Sequence, residues 1–134
     1  MSDTHRPVEF EPFFAGLQAG ALRFPRCTAC NRFHWYPMKR CPYCQNGDIT
    51  WASIAGPGRL HSWTVIRHPF DPDFAAHLPY IVGLVEFDDA PGVRLITHML
   101  PPEPERLCTD MPVLPVFGTD PRTPSPFHFT PRPA

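Results

Sequence analysis

Two Cys-x-x-Cys pairs, Cys27-Thr28-Ala29-Cys30 and Cys41-Pro42-Tyr43-Cys44, stand ten residues apart and constrain this chain more than any other feature. Two cysteines separated by two residues share one tight turn and present both sulfurs to a single metal ion. A second such turn completes a tetrahedron with metal–sulfur distances of about 2.3 Å. The spacing therefore predicts a zinc ribbon with Cys27, Cys30, Cys41 and Cys44 as ligands. Four thiolates leave no open coordination position, so the expected zinc is structural rather than catalytic. The competing reading is a pair of disulfides. Residues 1–12 are polar and acidic, with no apolar run of the signal-peptide kind. No segment approaches the roughly 18 apolar residues of a membrane span. A cytoplasmic protein without membrane contact is expected, and reduced thiols there favour zinc. His34, between the pairs, is an alternative ligand for a shell that is already full. Cys108 is a fifth, unpaired cysteine with no base or helix start beside it, expected to be an ordinary core or surface residue.

A chain of 134 residues is one domain or two very small ones. A module as small as the ribbon needs a staple such as a metal. The 20 prolines disfavour long helices and point to turns, edge strands and extended connections. The expected organisation is an arm and short helix over 1–20, the ribbon over 21–55, and a barrel with a Pro-rich tail over 56–134. A helix of about two turns is predicted over 12–20. Pro12 suits its first turn, Gly20 its end, and Phe13, Phe14 and Leu17 one side. Residues 21–26 read as a strand leading into the first cysteine turn. Residues 31–40 read as the hairpin between the turns, with Trp35 and Tyr36 packed on them. Gly56-Pro57-Gly58 marks a boundary.

Beyond it the pattern is all β. Strands are predicted over 59–68, 80–87, 93–100, 111–117 and 127–130. Gly83 suggests a bulge or barrel bend, and Pro115 an edge position or a break. Residues 69–79 form a long connection. Five short strands without helical periodicity suggest a closed barrel of the OB type. The fold class is thus mainly β: a short N-terminal helix, a rubredoxin-like ribbon, then a five-stranded OB barrel.

Charge is unevenly spread. No acidic residue occurs between Pro12 and Gly47, where Arg23, Arg26, Arg32, Lys39 and Arg40 lie. From Trp51 onward nine acidic residues face six basic ones. The basic stretch fits an anionic partner. It fits equally well the need to offset the net charge of about −2 on a tetrathiolate zinc.

The ordered set Pro12-Phe13-Phe14-Ala15-Gly16-Leu17, Gly20, the two cysteine pairs, Pro37, Trp51, Gly56-Pro57-Gly58, Ser62-Trp63-Thr64-Val65, Pro79-Tyr80 and Met111-Pro112-Val113 covers nearly the whole chain. With it the chain resembles the zinc-ribbon/OB-fold acyl-CoA-associated proteins, domain-of-unknown-function family thirty-five. It departs where Cys108-Thr109-Asp110 stand in place of a common glycine, and where Pro115 interrupts a strand that is usually free of proline. The resemblance implies a non-catalytic subunit of a larger acyl-CoA enzyme, in hetero-oligomer with a thiolase or thiolase-like retro-aldolase of steroid or fatty-acyl side-chain degradation. A hot-dog-fold enoyl-CoA hydratase is the alternative partner. The barrel would help form or cover the acyl-CoA channel, with acyl-CoA as a shared ligand, and the ribbon and helix would brace the assembly.

Under that reading Arg32, Lys39, Arg40 or Arg67 would meet CoA phosphates through fork or point-charge contacts. Phe13, Phe14, Phe70, Phe74 and Tyr80 would meet the partner or the acyl-CoA. Each of these residues also has an ordinary packing or solvation role open to it. A nucleic-acid-binding module is a second function, but single-strand binding needs a cationic, aromatic-lined groove and the barrel half is net acidic. A stand-alone enzyme is a third. His61, His68, His77 and His98 with Asp71, Asp73 and Glu86 could move a proton, but no nucleophile elbow, phosphate loop or open metal site accompanies them.

Overall fold

The structure, a computed structural model, describes residues 7–69 and 72–133. The expectations placed on the first six residues, on Phe70 and on Asp71 lie outside the described residues. Two compact units emerge: one holds the described residues up to Gly56 together with Phe87–Arg94, and the other holds Pro57–Glu86 and those from Leu95 onward.

The ribbon unit opens with a 3-10 turn, Val8–Phe10, that runs into helix α1, Glu11–Gln18. Pro12 lies in the first turn, where a missing N–H costs nothing. Phe13, Gly16 and Leu17 form the buried stripe at spacings of three and four. Gly16 is needed for closeness: a Cβ there would lie 2.8 Å from the Ala21 carbonyl oxygen. Gly20, at φ +75°, turns the chain out of the helix.

Strand β1, Leu22–Cys27, pairs antiparallel with β2, Ile49–Ile54, from Leu22 opposite Ile54 to Cys27 opposite Ile49. The ladder is thus built by the strands entering and leaving the ribbon. Residues 31–40 do not form the expected hairpin. Their ladder pairing with β1 is one bridge among the described residues, Arg26 opposite Phe33, supported by His34 N–H donating to the Pro25 carbonyl at 3.1 Å. Pro37 has no N–H for a ladder, and Trp35 is drawn elsewhere. Its ring lies 5.0 Å from Phe13, 5.4 Å from Phe24 and 5.7 Å from Phe10. Trp35 therefore centres an aromatic core shared with the helix rather than packing on the cysteine turns, while Tyr36 is 64% exposed. Phe87 closes this core at 5.2 Å from Phe24.

The barrel strands are β3, Gly58–Ile66; β4, Tyr80–Phe87; β5, Arg94–Met99; β6, Pro112–Phe117; and β7, Phe127–Pro131, all in the barrel unit except the end residue Phe87 of β4 and the first residue Arg94 of β5. They close in the order β3-β4-β5-β7-β6. The pair β5–β7 is parallel at Met99 opposite Phe129, and β6–β7 is antiparallel. This is the five-stranded OB barrel expected from the sequence. Leu60, Ile81, Val85, Met99, Val113 and Phe129 fill it.

Two details select among the alternatives expected. Burial alternates without a slip along β4, so Gly83 marks no bulge. Its role is space, because a Cβ would lie 2.8 Å from Met99 Cγ and Sδ. Pro115 does not break β6. It pairs with Phe129 of β7, beyond the two residues, Pro112 and Val113, that pair with β3, so its missing N–H leaves that part of the ladder intact. The long connection carries a 3-10 turn, Pro72–His77. Among the described residues, no helix is long and apolar enough to cross a membrane.

Candidate functional site

The four cysteine sulfurs lie within 4.8 Å of one another, with Cys27 and Cys44 Sγ at 3.5 Å and Cys30 and Cys41 Sγ at 3.6 Å. A tetrahedral zinc with bonds of about 2.3 Å needs sulfur–sulfur edges of about 3.8 Å. The donor set and its geometry fit that ion. His34 is not part of the cluster.

The two cysteine turns are built alike. Asn31 N–H donates to Cys27 O and Gln45 N–H to Cys41 O, each at 2.9 Å. Asn31 and Gln45 both adopt left-handed backbone, at φ 60° and 67°. Cys27 N–H donates to Arg32 O at 3.0 Å and Cys41 N–H to Asn46 O at 2.9 Å. An arginine precedes each pair and braces its turn: Arg26 Nε donates to Asn31 O at 3.1 Å, and Arg40 Nη1 to Gln45 O at 3.2 Å. The signal is present in the sequence as a repeated Arg-Cys-x-x-Cys-Asn/Gln.

Three of the thiols are moved from their ordinary range. The Cys30 backbone N–H holds Cys27 below its ordinary range. Burial pushes Cys41 up, but N–H groups of Cys44 and Tyr43 outweigh it and bring it to about 7. Cys44 is pushed up to about 11: the Asn46 N–H favours its thiolate, but the neighbouring cysteines and burial prevail. Without a cation the cluster cannot hold four negative charges at these distances; a divalent ion removes the conflict.

The remaining sequence-derived candidates divide between the units. In the ribbon unit, Arg32 sits over the Tyr43 ring at 4.8 Å, tying one cysteine turn to the other. Arg40 is the brace described above. Lys39 is exposed and borders a cavity of about 210 Å³ lined by Val8, Pro12, Pro37 and Trp51. Phe13 is 3% exposed and belongs to the core, and Phe14 is half-buried. In the barrel unit, Arg67 is exposed just past β3. Phe74 and Tyr80 are brought together at 5.5 Å, and each contacts the His98 ring. Phe70 is outside the described residues.

Of the proton-transfer set, His61 Nδ1 and Glu86 Oε1 approach to 3.6 Å. Two buried histidines stand out that the sequence did not single out for such a role. The His34 ring nitrogens and His128 Nδ1 have no hydrogen-bond partner among the described residues. Burial pushes both imidazoles below their ordinary pKa. Periodicity cannot reveal such positions, since His is compatible with either face of a strand.

Comparison with known proteins places these features. The family model described as the ChsH2 rubredoxin-like zinc ribbon domain matches residues 14–50, and that of the ChsH2 C-terminal OB-fold domain matches residues 51–118. A solved structure titled Ltp2-ChsH2(DUF35) aldolase contains a chain 30% identical, with a TM-score of 0.79, covering 95% of this chain and 97% of that one. A DUF35-family structure from Sulfolobus solfataricus shares the fold, at 17% identity and TM-score 0.67 over 97% of this chain and 90% of that one. Among curated proteins, the chain is 33% identical over 102 residues to a probable enoyl-CoA hydratase alpha subunit of Thermomonospora curvata. That match covers 76% of this chain and 31% of that protein. It is 29% identical over 83 residues to a DUF35 domain-containing scaffold protein of Methanothermobacter thermautotrophicus, covering 61% of this chain and 60% of that one. The chain thus spans less than two thirds of the length of these curated relatives. With one family model matching the ribbon and a second matching the barrel, this chain belongs to the ChsH2 (DUF35) family of zinc-ribbon/OB-fold proteins.

Proposed function

We propose that this protein is a non-catalytic accessory subunit that binds a thiolase-superfamily enzyme, a thiolase or a thiolase-like retro-aldolase of steroid or fatty-acyl side-chain degradation. In this reading it helps form the acyl-CoA channel of that enzyme within a cytoplasmic hetero-oligomer. The observation that carries the reading is the likeness, over nearly the full length of both chains, to a chain of the Ltp2-ChsH2(DUF35) aldolase. A structural zinc held by Cys27, Cys30, Cys41 and Cys44 supports it, because a closed tetrathiolate shell has no position for substrate. The working division is an arm and helix over 1–20, the ribbon over 21–55 and the barrel over 56–134. Arg67, Phe74 and Tyr80 are the barrel-side candidates for contact with partner or acyl-CoA, with Phe70 as a further candidate. Arg32, Lys39, Arg40 and Phe14 are those of the ribbon side. Phe13 contributes by shaping the helix that carries Phe14.

A second reading has its own support. The similarity to a protein named as a probable enoyl-CoA hydratase alpha subunit favours a hot-dog-fold hydratase as partner. Affinity purification of the tagged chain from its native cell, with mass spectrometry of what co-elutes, separates the two. A stoichiometric thiolase-like subunit is expected, and acyl-CoA cleavage should require both chains. Turnover of an acyl-CoA thioester by the purified chain alone, at ordinary enzymatic rates, would refute the accessory role.

A further inference from the structure

Three imidazoles gather at one wall of the barrel unit. His98 stands on β5 and His128 on β7, next to one another across the parallel pair that joins Met99 to Phe129. Met99 and Phe129 point into the barrel core, so their sequence neighbours lie on the opposite face. The 3-10 turn Pro72–His77 adds a third imidazole, His77. Phe74, from the middle of that turn, stacks on the His98 ring at 5.7 Å with the planes only 2° apart. Tyr80 completes the contact at 5.3 Å from His98 and 5.5 Å from Phe74. The turn offers no buried residue of its own, so the Phe74 ring is its principal apolar hold.

We propose that the turn Pro72–His77 is a histidine-gated latch. The Phe74–His98–Tyr80 stack holds it against the barrel wall while His98 is neutral, and protonation of His98 releases it. The charged groups around the stack set the direction. His77 on the turn and His128 on β7 both oppose a positive charge on His98, and burial opposes it further. Among the described residues the acid acting on His128 is Asp120, which is committed to Arg122 through a 3.0 Å contact, so the pair contributes little net field. Asp73 lies on the same turn as Phe74.

The native state thus favours neutral His98 more than the open state does. The hold is complete above about pH 6.5, the ordinary histidine value, and is lost as pH falls below it through the depressed native value. One force runs the other way, the attraction of an imidazolium for the face of Phe74. Phe74 is also a candidate partner contact, so release of the latch would change what the barrel presents.

Hydrogen exchange of the amides of residues 73–77, corrected for intrinsic rates, tests the latch at pH 7.5 and pH 5 in the full chain. Amides of 81–85 serve as the folding control. Wild type should lose protection over 73–77 at the lower pH, while 81–85 stay protected. His98→Phe keeps a stacking ring that cannot take a proton, and should stay protected at both values. Phe74→Ala should be unprotected at both. Protection of 73–77 that does not change with pH in wild type, or that rises at pH 5, overturns the proposal. So does a His98→Phe variant that keeps the wild-type pH response.

Discussion

The ribbon unit and the barrel unit reach order by different routes. In the ribbon, the two strands of the β1–β2 ladder and one short helix surround an aromatic core, and four sulfurs converge where no apolar side chain could cross-link two turns. An isolated hairpin of this size is marginal in water, and α1 is too short to stand alone, so the unit depends on one ion and on interlocked rings. In the barrel, every strand has neighbours in a closed ring, and side chains from all five fill the middle. Its stability is spread over many small contributions. A fold with a single point of dependence fails at that point, whereas one with distributed contacts weakens in proportion to what is removed.

This contrast can be broken most severely at the metal. Cys41→Ser, or a strong chelator, should release zinc and unfold the ribbon unit, because zinc binding in such modules supplies folding free energy of roughly 10–16 kcal/mol. Metal analysis and near-UV circular dichroism would show it. Retention of both metal and ribbon signals would refute the four-cysteine site. Next in size is Phe24→Ala, at a fully buried ring that meets Phe13, Trp35 and Phe87. It should cost about 3–5 kcal/mol in chemical denaturation. The barrel counterpart is Gly83→Ala, which forces a methyl group against Met99 and Leu60 and should cost about 1–3 kcal/mol while the ribbon keeps its zinc.

A subtler distinction concerns the two arginine braces. Arg26→Ala and Arg40→Ala should each lower zinc affinity, by about 10- to 100-fold if they act as outer supports of the ligands do, and by similar amounts because the two turns are built alike. Competition with a colorimetric chelator measures this. Unequal effects would mean that the turns are not equivalent. The smallest effect is expected at Asp120, whose carboxyl is held down to about 2 by hydrogen bonds and charge from Arg122. Its contribution is present above the ordinary carboxylate range and is lost as pH falls towards about 2. Arg122→Ala should raise the Asp120 titration towards the ordinary range in an NMR pH series, with the backbone N–H of residue 122 still holding it partly down, and without touching the ribbon.

Much of this architecture could be read before any coordinates. The helix predicted over 12–20 is observed as Glu11–Gln18, because proline and glycine punctuate backbone locally. The five barrel strands were visible as short β-branched and aromatic runs between turn residues. The metal cluster was legible because cysteine spacing encodes ligand geometry directly. The roles of single aromatic and basic residues were not legible. Phe13 and Phe14 are neighbours in sequence, yet one is buried and the other half-buried, since helix rotation about its neighbours decides which ring goes inward. That Arg40 braces a cysteine turn depends on where the second cysteine pair folds. Gly83 suggested a bulge or barrel bend; the structure shows no bulge, and the space it leaves is filled by Met99, sixteen residues further on.

The sequence by itself determined what depends on near neighbours: the cysteine turns, the short helix, the strands and the existence of a barrel. These follow from backbone preference and ligand spacing over a few residues. Tertiary structure alone decided which rings share the core around Trp35, which arginines are occupied, and which histidines meet on the barrel wall. Those outcomes rest on residues far apart in the chain arriving at one place, and each competes for burial and hydrogen bonds only once the chain has closed.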